Sequence, residues 1–147
     1  MAFISHDDLW TNDKLSTQLG YLQQHPQMQF CVAQVKFFLE PGATIPAGCR
    51  PELLIGEHRG FIMETLVAKR EVFSTVGMFN DEYHVAEDVD WFSRAKDAKI
   101  AHGVVDRVLL HKRVHSNNTS LTSTINNQNL LKILRQSIER KRNASSN

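Results

Sequence analysis

The chain has 147 residues, enough for one domain with a substantial core and too few for two ordinary domains. Hydrophobic residues make up 41% and charged residues 22% of it, which excludes a disordered protein. The net charge of +1 gives no overall attraction for nucleic acid, so we expect none as a partner.

The location expected from the sequence is the cytoplasm. The two cysteines, Cys31 and Cys49, form neither a CxxC motif nor a disulfide framework. The opening residues lack the charged segment and apolar core of a signal peptide. The apolar runs are too short to span a bilayer, so we also expect no membrane span.

The first half of the chain predicts strands that alternate with one helix. Leu15, Leu19 and Leu22 recur at helical spacing and predict the apolar face of that helix. In chain order we expect a strand at 3–5, a helix from Thr11 or Asn12 to Pro26, a strand at 28–39 and a partly mobile loop, a possible substrate lid, at 43–60.

The second half continues the alternation and indicates a single mixed α/β domain. Residues 121–147 should form an amphipathic helix and a basic tail, which we interpret as a solvated helix end. In order, the elements expected are a strand at 61–67, a helix at 69–76 ended by Gly77, a helix at 87–98 with Val89, Phe92 and Ala95 inward, strands at 99–101 and 104–110, a polar loop at 116–120 and a helix at 126–141 with Leu130, Leu134 and Ile138 on one face.

Three polar clusters interrupt this apolar frame, and the first contains Asp7 and Asp8. Two adjacent carboxylates after a strand can hold a hard divalent cation, with phosphate oxygens completing its coordination. The same pair can instead stabilise the start of the following helix. The residues alone leave both interpretations open.

The second cluster places Glu87, Asp88 and Asp90 at a predicted helix start. Carboxylates there are favoured by the helix dipole, which needs no catalytic role. A helix start can equally hold a general base rigidly. Glu87 and Asp88 point about 100° apart on a helix, so they cannot serve one atom equally.

The third cluster is the basic run that ends with His115. If the strand continues through it, alternation puts His111, Arg113 and His115 on one face. Such a face can be solvated, or it can neutralise a diphosphate. A metal-dependent hydrolase built on Asp7, Asp8 and His115 has no supporting spacing motif.

Together these clusters resemble the family-2 glycosyltransferases. That family has an Asp-x-Asp-Asp-hydrophobic-Trp run, then Lys-Leu-x-x-Gln, Gly-x-Phe-Asp-Glu, Glu-Asp-x-Asp-hydrophobic, and finally Arg-x-His with Asn and Ser. The similar stretches here are 3–10 (Phe-Ile-Ser-His-Asp-Asp-Leu-Trp), 14–18 (Lys-Leu-Ser-Thr-Gln), 76–82 (Val-Gly-Met-Phe-Asn-Asp-Glu), 87–94 (Glu-Asp-Val-Asp-Trp-Phe-Ser-Arg) and 113–120 (Arg-Val-His-Ser-Asn-Asn-Thr-Ser). Order and spacing agree over residues 1 to about 120.

The resemblance implies a role for each matching position. Asp88, with Glu87 beside it, matches the base that deprotonates the acceptor hydroxyl in inverting transfer. Asp7 matches a ligand of the Mn²⁺ or Mg²⁺ on the donor diphosphate, and His115 a position that joins that site in some members. The substrate- and diphosphate-binding positions implied are Ser5, Asp8, Trp10, Trp91 and Arg113.

Two departures from the family pattern qualify these expectations. Ser5 stands where the family has the first Asp of its Asp-x-Asp motif. The family also places about a hundred residues with nucleotide-binding strands before this motif, so the resemblance implies a partial GT-A-like sheet, truncated on its N-terminal side. An exposed sheet edge would follow, and we expect a homo-oligomer or a partner chain to cover it.

Three functions therefore remain. The first is a glycosyltransferase-like protein, incomplete or weakly active alone, whose donor is a nucleotide sugar and whose acceptor is a glycan or other hydroxyl compound. The second is the acceptor half of a two-chain transferase. The third is a non-catalytic sugar- or partner-binding module.

Overall fold

One mixed β-sheet organises the chain, in a computed structural model that describes residues 1–83, 85–118 and 126–145. Its strands are β1 (Leu9–Trp10), β2 (Phe30–Phe38), β3 (His58–Arg59), β4 (Val67–Ala68) and β5 (His102–Arg113). The helices within the described ranges are α1 (Lys14–Gln24), α2 (Arg70–Val76), α3 (Glu87–Asp97) and α4 (Asn126–Ser145). Short 3₁₀ turns lie at Pro51–Leu54 and Met63–Thr65.

The two long strands form the centre of the sheet. The order is β1-β5-β2-β3, and β4 also pairs with β2. Strands β2 and β5 run parallel, whereas the other pairs are antiparallel. The predicted mixed α/β class, with a mixed sheet and flanking helices, is therefore confirmed.

The first part of strand β2, from Phe30 to Ala33, is buried on both faces because helices cover both sides of it. Phe30 and Val32 pack with the core residues of α2 and α3. Cys31 and Ala33, which alternate with them, pack on the opposite face with Leu22 of α1. An apolar run without polar alternation is typical of such a doubly covered strand.

Three predicted strands differ in the structure. The strand predicted at 3–5 is replaced by a single bridge between Ala2 and Val67, and β1 begins only at Leu9. The strand predicted at 61–67 contains a 3₁₀ turn at Met63–Thr65 and joins the sheet only at Val67, where β4 begins. The strand predicted at 99–101 is a turn and irregular backbone, whereas the strand predicted at 104–110 lies within the longer β5, which pairs with β2.

Helix α1 faces the sheet with a different side from the one predicted. Lys14, Gln18 and Leu22 are buried, at i, i+4 and i+8. Leu15 and Leu19 are 43% and 51% exposed, so only Leu22 of the predicted apolar face enters the core. The leucine stripe and the buried stripe lie side by side on the helix.

The remaining elements follow the predictions with small differences. Helix α2 ends at Gly77, whose φ of 87° favours glycine. The loop at 43–60 contains a 3₁₀ turn and β3. Val89, predicted inward, is 40% exposed, whereas Ala95 is buried. Residues 119 and 120 of the polar loop lie outside the described residues. No described helix has both the length and the apolar composition that crossing a bilayer requires.

Candidate active site

The pairing of β1 with β5 brings Asp7 against His115, which lies 108 positions later in the chain. Leu9 is opposite His111, so the residues before β1 lie beside those after β5. Asp7 Oδ2 is 2.8 Å from His115 Nε2, and this hydrogen bond lowers the pKa of Asp7. Both side chains are partly exposed, at 20% and 34%, so a ligand can reach them.

Beside this pair, Lys112 bridges two carboxylates. Its Nζ lies 2.8 Å from Asp8 Oδ2 and 2.9 Å from Glu64 Oε1. The Ser5 hydroxyl donates to the same Glu64 oxygen at 2.6 Å. The backbone N–H of Arg113 donates to Asp8 Oδ1 at 3.0 Å. Both carboxylate oxygens of Asp8 thus accept hydrogen bonds, and its side chain is only 1% exposed. Asp8 therefore has a structural role and links the segment before β1 to the end of β5.

Burial and charge oppose each other in this cluster. Burial raises the pKa of Asp8, although Lys112 acts against it. Burial also acts to raise the pKa of Glu64, but Lys112 and the Ser5 hydroxyl outweigh it and the pKa is lowered. Burial would lower the pKa of Lys112, yet the two carboxylates raise it. Lys112 is therefore the fixed positive charge of the cluster.

Asp88 stands at the start of α3, near the same cluster. Burial raises its pKa to about 6, and the negative charges of Glu87 and Glu64 add to the effect. The backbone N–H of Val89 donates to Asp88 Oδ1 at 2.7 Å and acts in the opposite direction. A carboxylate with a pKa near neutrality suits proton transfer, and structural ion networks produce the same shift.

The backbone before α3 is held in an unusual conformation. Ala86, the residue before the helix, is buried and has φ 73° and ψ 21°, the left-handed region. For a residue other than glycine this conformation costs on the order of 1 kcal/mol. It fixes the direction in which Glu87 and Asp88 enter α3.

Arg113 joins the N-terminal segment to the end of the central strands. Its Nε donates to the backbone oxygen of Asp7 at 3.0 Å, and its guanidinium pairs with Glu40. It also lies over the ring of Phe38, 5.5 Å from the centroid. These contacts position Asp7 and leave 32% of the Arg113 side chain exposed.

The two tryptophans lie behind the site. Trp10 donates from Nε1 to the backbone oxygen of Glu64 at 2.9 Å and so supports that residue. Trp91, expected from the resemblance to bind substrate, is fully buried and donates to the oxygen of Gly77 at 3.1 Å. Its indole packs against Phe73, with centroids 5.1 Å apart, so it belongs to the core.

The sequence analysis assigned no role to Glu64 or to Lys112. Glu64 sits in a 3₁₀ turn between Met63 and Thr65, and its only sequence signal was a lone carboxylate in a predicted strand. Alternation favoured His111, Arg113 and His115, but β5 ends at Arg113, and it is Lys112 that contacts the carboxylates. His111 is half-buried and paired with Leu9.

Asp7 and His115 are the side chains that could hold a metal. Among residues 1–83, 85–118 and 126–145, no three His, Cys, Asp or Glu side chains form a metal-binding group. Mg²⁺ and similar ions are often bound by one or two carboxylates plus substrate phosphates. His115 Nδ1 accepts from the backbone N–H of Asn117, so the pair would hold a cation that arrives with a diphosphate by exchanging its Nε2–Asp7 hydrogen bond for coordination. It does not fit a metal held by protein ligands alone. Lys112 keeps Asp8 from joining, since its charge would repel the ion.

Comparison of this chain with known protein families found no match, and comparison with curated proteins found none either. The chemistry of the site is therefore argued from its residues and their geometry.

Proposed function

We propose that this chain forms the diphosphate and acceptor side of a glycosyltransferase site, which transfers a sugar from a nucleotide-diphosphate donor to an acceptor hydroxyl. One observation carries the proposal: three segments remote in sequence, 5–8, 87–88 and 112–115, converge around one cluster. Their direct contacts are the pairs Asp7–His115 and Asp8–Lys112. The charges of Lys112 and Glu64 reach Asp88.

The residues divide the proposed reaction between them. Asp88 accepts the proton of the acceptor hydroxyl while the hydroxyl oxygen bonds to the anomeric carbon of the donor sugar. At the same time the bond from that carbon to the diphosphate breaks, and the diphosphate leaves. Arg113 and Lys112 provide positive charge near the leaving diphosphate. A Mn²⁺ or Mg²⁺ ion held by Asp7 and His115 would add Lewis-acid stabilisation there.

The pKa of Asp88 gives the proposal a pH signature. A base must be ionised to act, so the transfer rate should fall as the pH drops through about 6. Asp88→Asn should lower the rate about 10²- to 10⁴-fold. The transfer rates of the parent and of Asp88→Asn are measured against pH. If the rate of Asp88→Asn still fell below about pH 6, Asp88 would not be the base.

Calorimetric titration of UDP with and without Mn²⁺ tests the diphosphate site. We expect manganese-dependent binding that is lost in Asp7→Ala and kept in the control Asp81→Ala, which changes an exposed carboxylate. The same titration with UDP-sugars follows. An absence of binding at millimolar ligand would refute a diphosphate site on this chain.

A non-catalytic sugar- or partner-binding module is the second candidate. It is favoured by the engagement of Asp8 and Glu64 with Lys112, which leaves few free ligands in the cluster. Glycan binding that is independent of Mn²⁺ and unaffected by Asp88→Asn would support this function over transfer.

The expected cellular location and partners belong to the same proposal. Both cysteines are free thiols, Cys31 buried and Cys49 partly exposed, as in a reducing compartment such as the cytoplasm. Leu9 on the edge strand β1 is 52% exposed, and Ile4, five residues earlier in the chain, is 53% exposed. A second copy, or a partner chain that completes a two-chain transferase, would cover this edge. Sedimentation velocity of the purified chain tests the self-association.

A further inference from the structure

Helix α4 packs against the domain mainly through its polar side chains. Its buried face has one large apolar residue, Ile133, beside Ser137. Ser137 Oγ and Arg140 Nε donate to Asp97 at 3.0 and 2.8 Å. Further polar contacts are Asn129 to the oxygen of Val85, Gln136 to Tyr83, Arg140 to Ser93 and Lys132 to Glu82. These hydrogen bonds and ion pairs thus determine which side of α4 faces the protein.

The rest of the surface of α4 exposes large apolar residues, one of which, Leu134, also lines a groove beside the buried face. Leu131 and Leu134 are each 57% exposed, and Ile138 is 42% exposed. Their spacing of i, i+3 and i+7 places them on one stripe. An amphipathic helix normally buries this stripe, so its outward orientation marks a contact surface.

Positive charge is concentrated on the same helix. Within Asn126–Ser145 there are five basic residues and one acidic residue, in a chain whose net charge is only +1. Lys132 pairs with Glu82, and Arg140 and Lys141 pair with Asp97, so these two carboxylates offset part of that charge. At 100° per residue, Arg135 and Arg142 lie within about 60° of Leu131 on one border of the stripe. Lys141 lies on the other border. The apolar stripe is therefore flanked by cations.

An apolar groove continues the stripe toward the body of the protein. It lies between α3 and α4 and has a volume of about 560 Å³. Phe61, Phe92, Leu130 and Leu134 contribute apolar walls, and Lys96 stands at the lining as well. Both the groove and the stripe present an apolar surface edged by lysine or arginine.

The cations beside the apolar stripe of α4 indicate which kind of partner binds this surface. A second copy packed face to face on α4 would bring Arg135 and Arg142 of the two helices together, and like charges placed together in an interface are unfavourable. An anionic bilayer offers negative headgroups to the arginines and acyl chains to the leucines. We propose that α4 lies in the surface of an anionic lipid membrane, with Leu131, Leu134 and Ile138 inserted. This inference does not depend on the proposed transfer reaction.

Vesicle co-sedimentation of the whole chain tests the proposal. We expect binding to vesicles of phosphatidylcholine mixed with phosphatidylserine, and much weaker binding to phosphatidylcholine alone. The double variant Leu131→Gln, Leu134→Gln should lower the partition coefficient at least about tenfold, because two exposed leucines no longer enter the lipid. Arg135→Gln should lower it about fivefold, and added salt should weaken binding of the parent.

A matched control uses the other exposed leucine pair. Leu15→Gln, Leu19→Gln removes two similarly exposed leucines from α1 and should leave vesicle binding unchanged. Far-ultraviolet circular dichroism checks that each variant is folded. Absence of binding to anionic vesicles overturns the proposal, as does binding that survives the α4 double variant. Sedimentation velocity that shows a dimer broken by the α4 variant, without vesicle binding, would assign the face to a protein partner.

Discussion

Lys14 is buried in a place where its charge is costly. Its side chain is 1% exposed, and its Nζ has no hydrogen-bond partner, although it lies 4.3 Å from the centroid of the Trp10 ring. Burial lowers the pKa of Lys14 to about 8 from an ordinary value of 10.5. We predict that Lys14→Met stabilises the protein.

The magnitude follows from the shift in pKa. A difference of about 2.5 pKa units at about 1.4 kcal/mol each is a cost of about 3 kcal/mol at pH 7, where Lys14 is charged in both states. The variant also loses the attraction between the Lys14 ammonium and the Trp10 ring, which costs about 1–2 kcal/mol of stability. The net gain expected for Lys14→Met is therefore about 1–2 kcal/mol, since methionine fills a similar volume.

The sign of the pH dependence is fixed by the direction of the shift. Because the folded-state pKa is lowered, the unfolded chain binds the proton more tightly, and the cost is complete below about pH 8. Stability of the parent should therefore rise by about 1 kcal/mol between pH 7 and pH 9. The Lys14→Met variant should lack this rise.

Urea unfolding followed by circular dichroism at pH 7 and pH 9 measures both effects. Lys36→Met, which changes an exposed lysine on β2, is the control and should keep the rise of the parent. The reasoning is refuted if Lys14→Met is less stable than the parent at pH 7, or if its stability rises with pH as the parent's does.

Three further predictions concern the cluster and the glycines. Lys112→Met should lower the free energy of unfolding by about 3 kcal/mol, because Asp8 and Glu64 lose their shared cation. The loss should be smaller at pH 5 than at pH 8, because the carboxylates protonate at the lower pH. Urea unfolding at both pH values measures it. Gly60→Ala should cost about 1–3 kcal/mol in the same assay, since the added methyl would lie 2.7 Å from a threonine methyl. Gly20→Ala, inside α1 with nothing within 4 Å of the new methyl, should instead stabilise by about 0.5–1 kcal/mol. Equal effects of the two glycine changes would contradict the packing argument.

The sequence singled out segments that the fold brings together, but not every residue of the ion cluster. Asp7, Asp8, Asp88 and His115 could be singled out because carboxylates and histidines clustered at predicted strand and helix ends. Glu64 could not, because no second charged residue stands near it in sequence between Phe61 and Ala68, and only the fold brings it to Lys112. A long-range ion cluster leaves no local pattern.

By itself the sequence determined the class of fold, the central strand β2 and most helix positions, because these depend on local periodicity and turn residues. Only the tertiary structure decided which side of each helix is buried. In α1 the sheet covers Lys14 and Gln18 while Leu15 and Leu19 face outward, and in α4 polar bonds to Asp97 turn the leucines away from the core. Periodicity shows that a stripe is apolar, but the partner surface determines which stripe it covers.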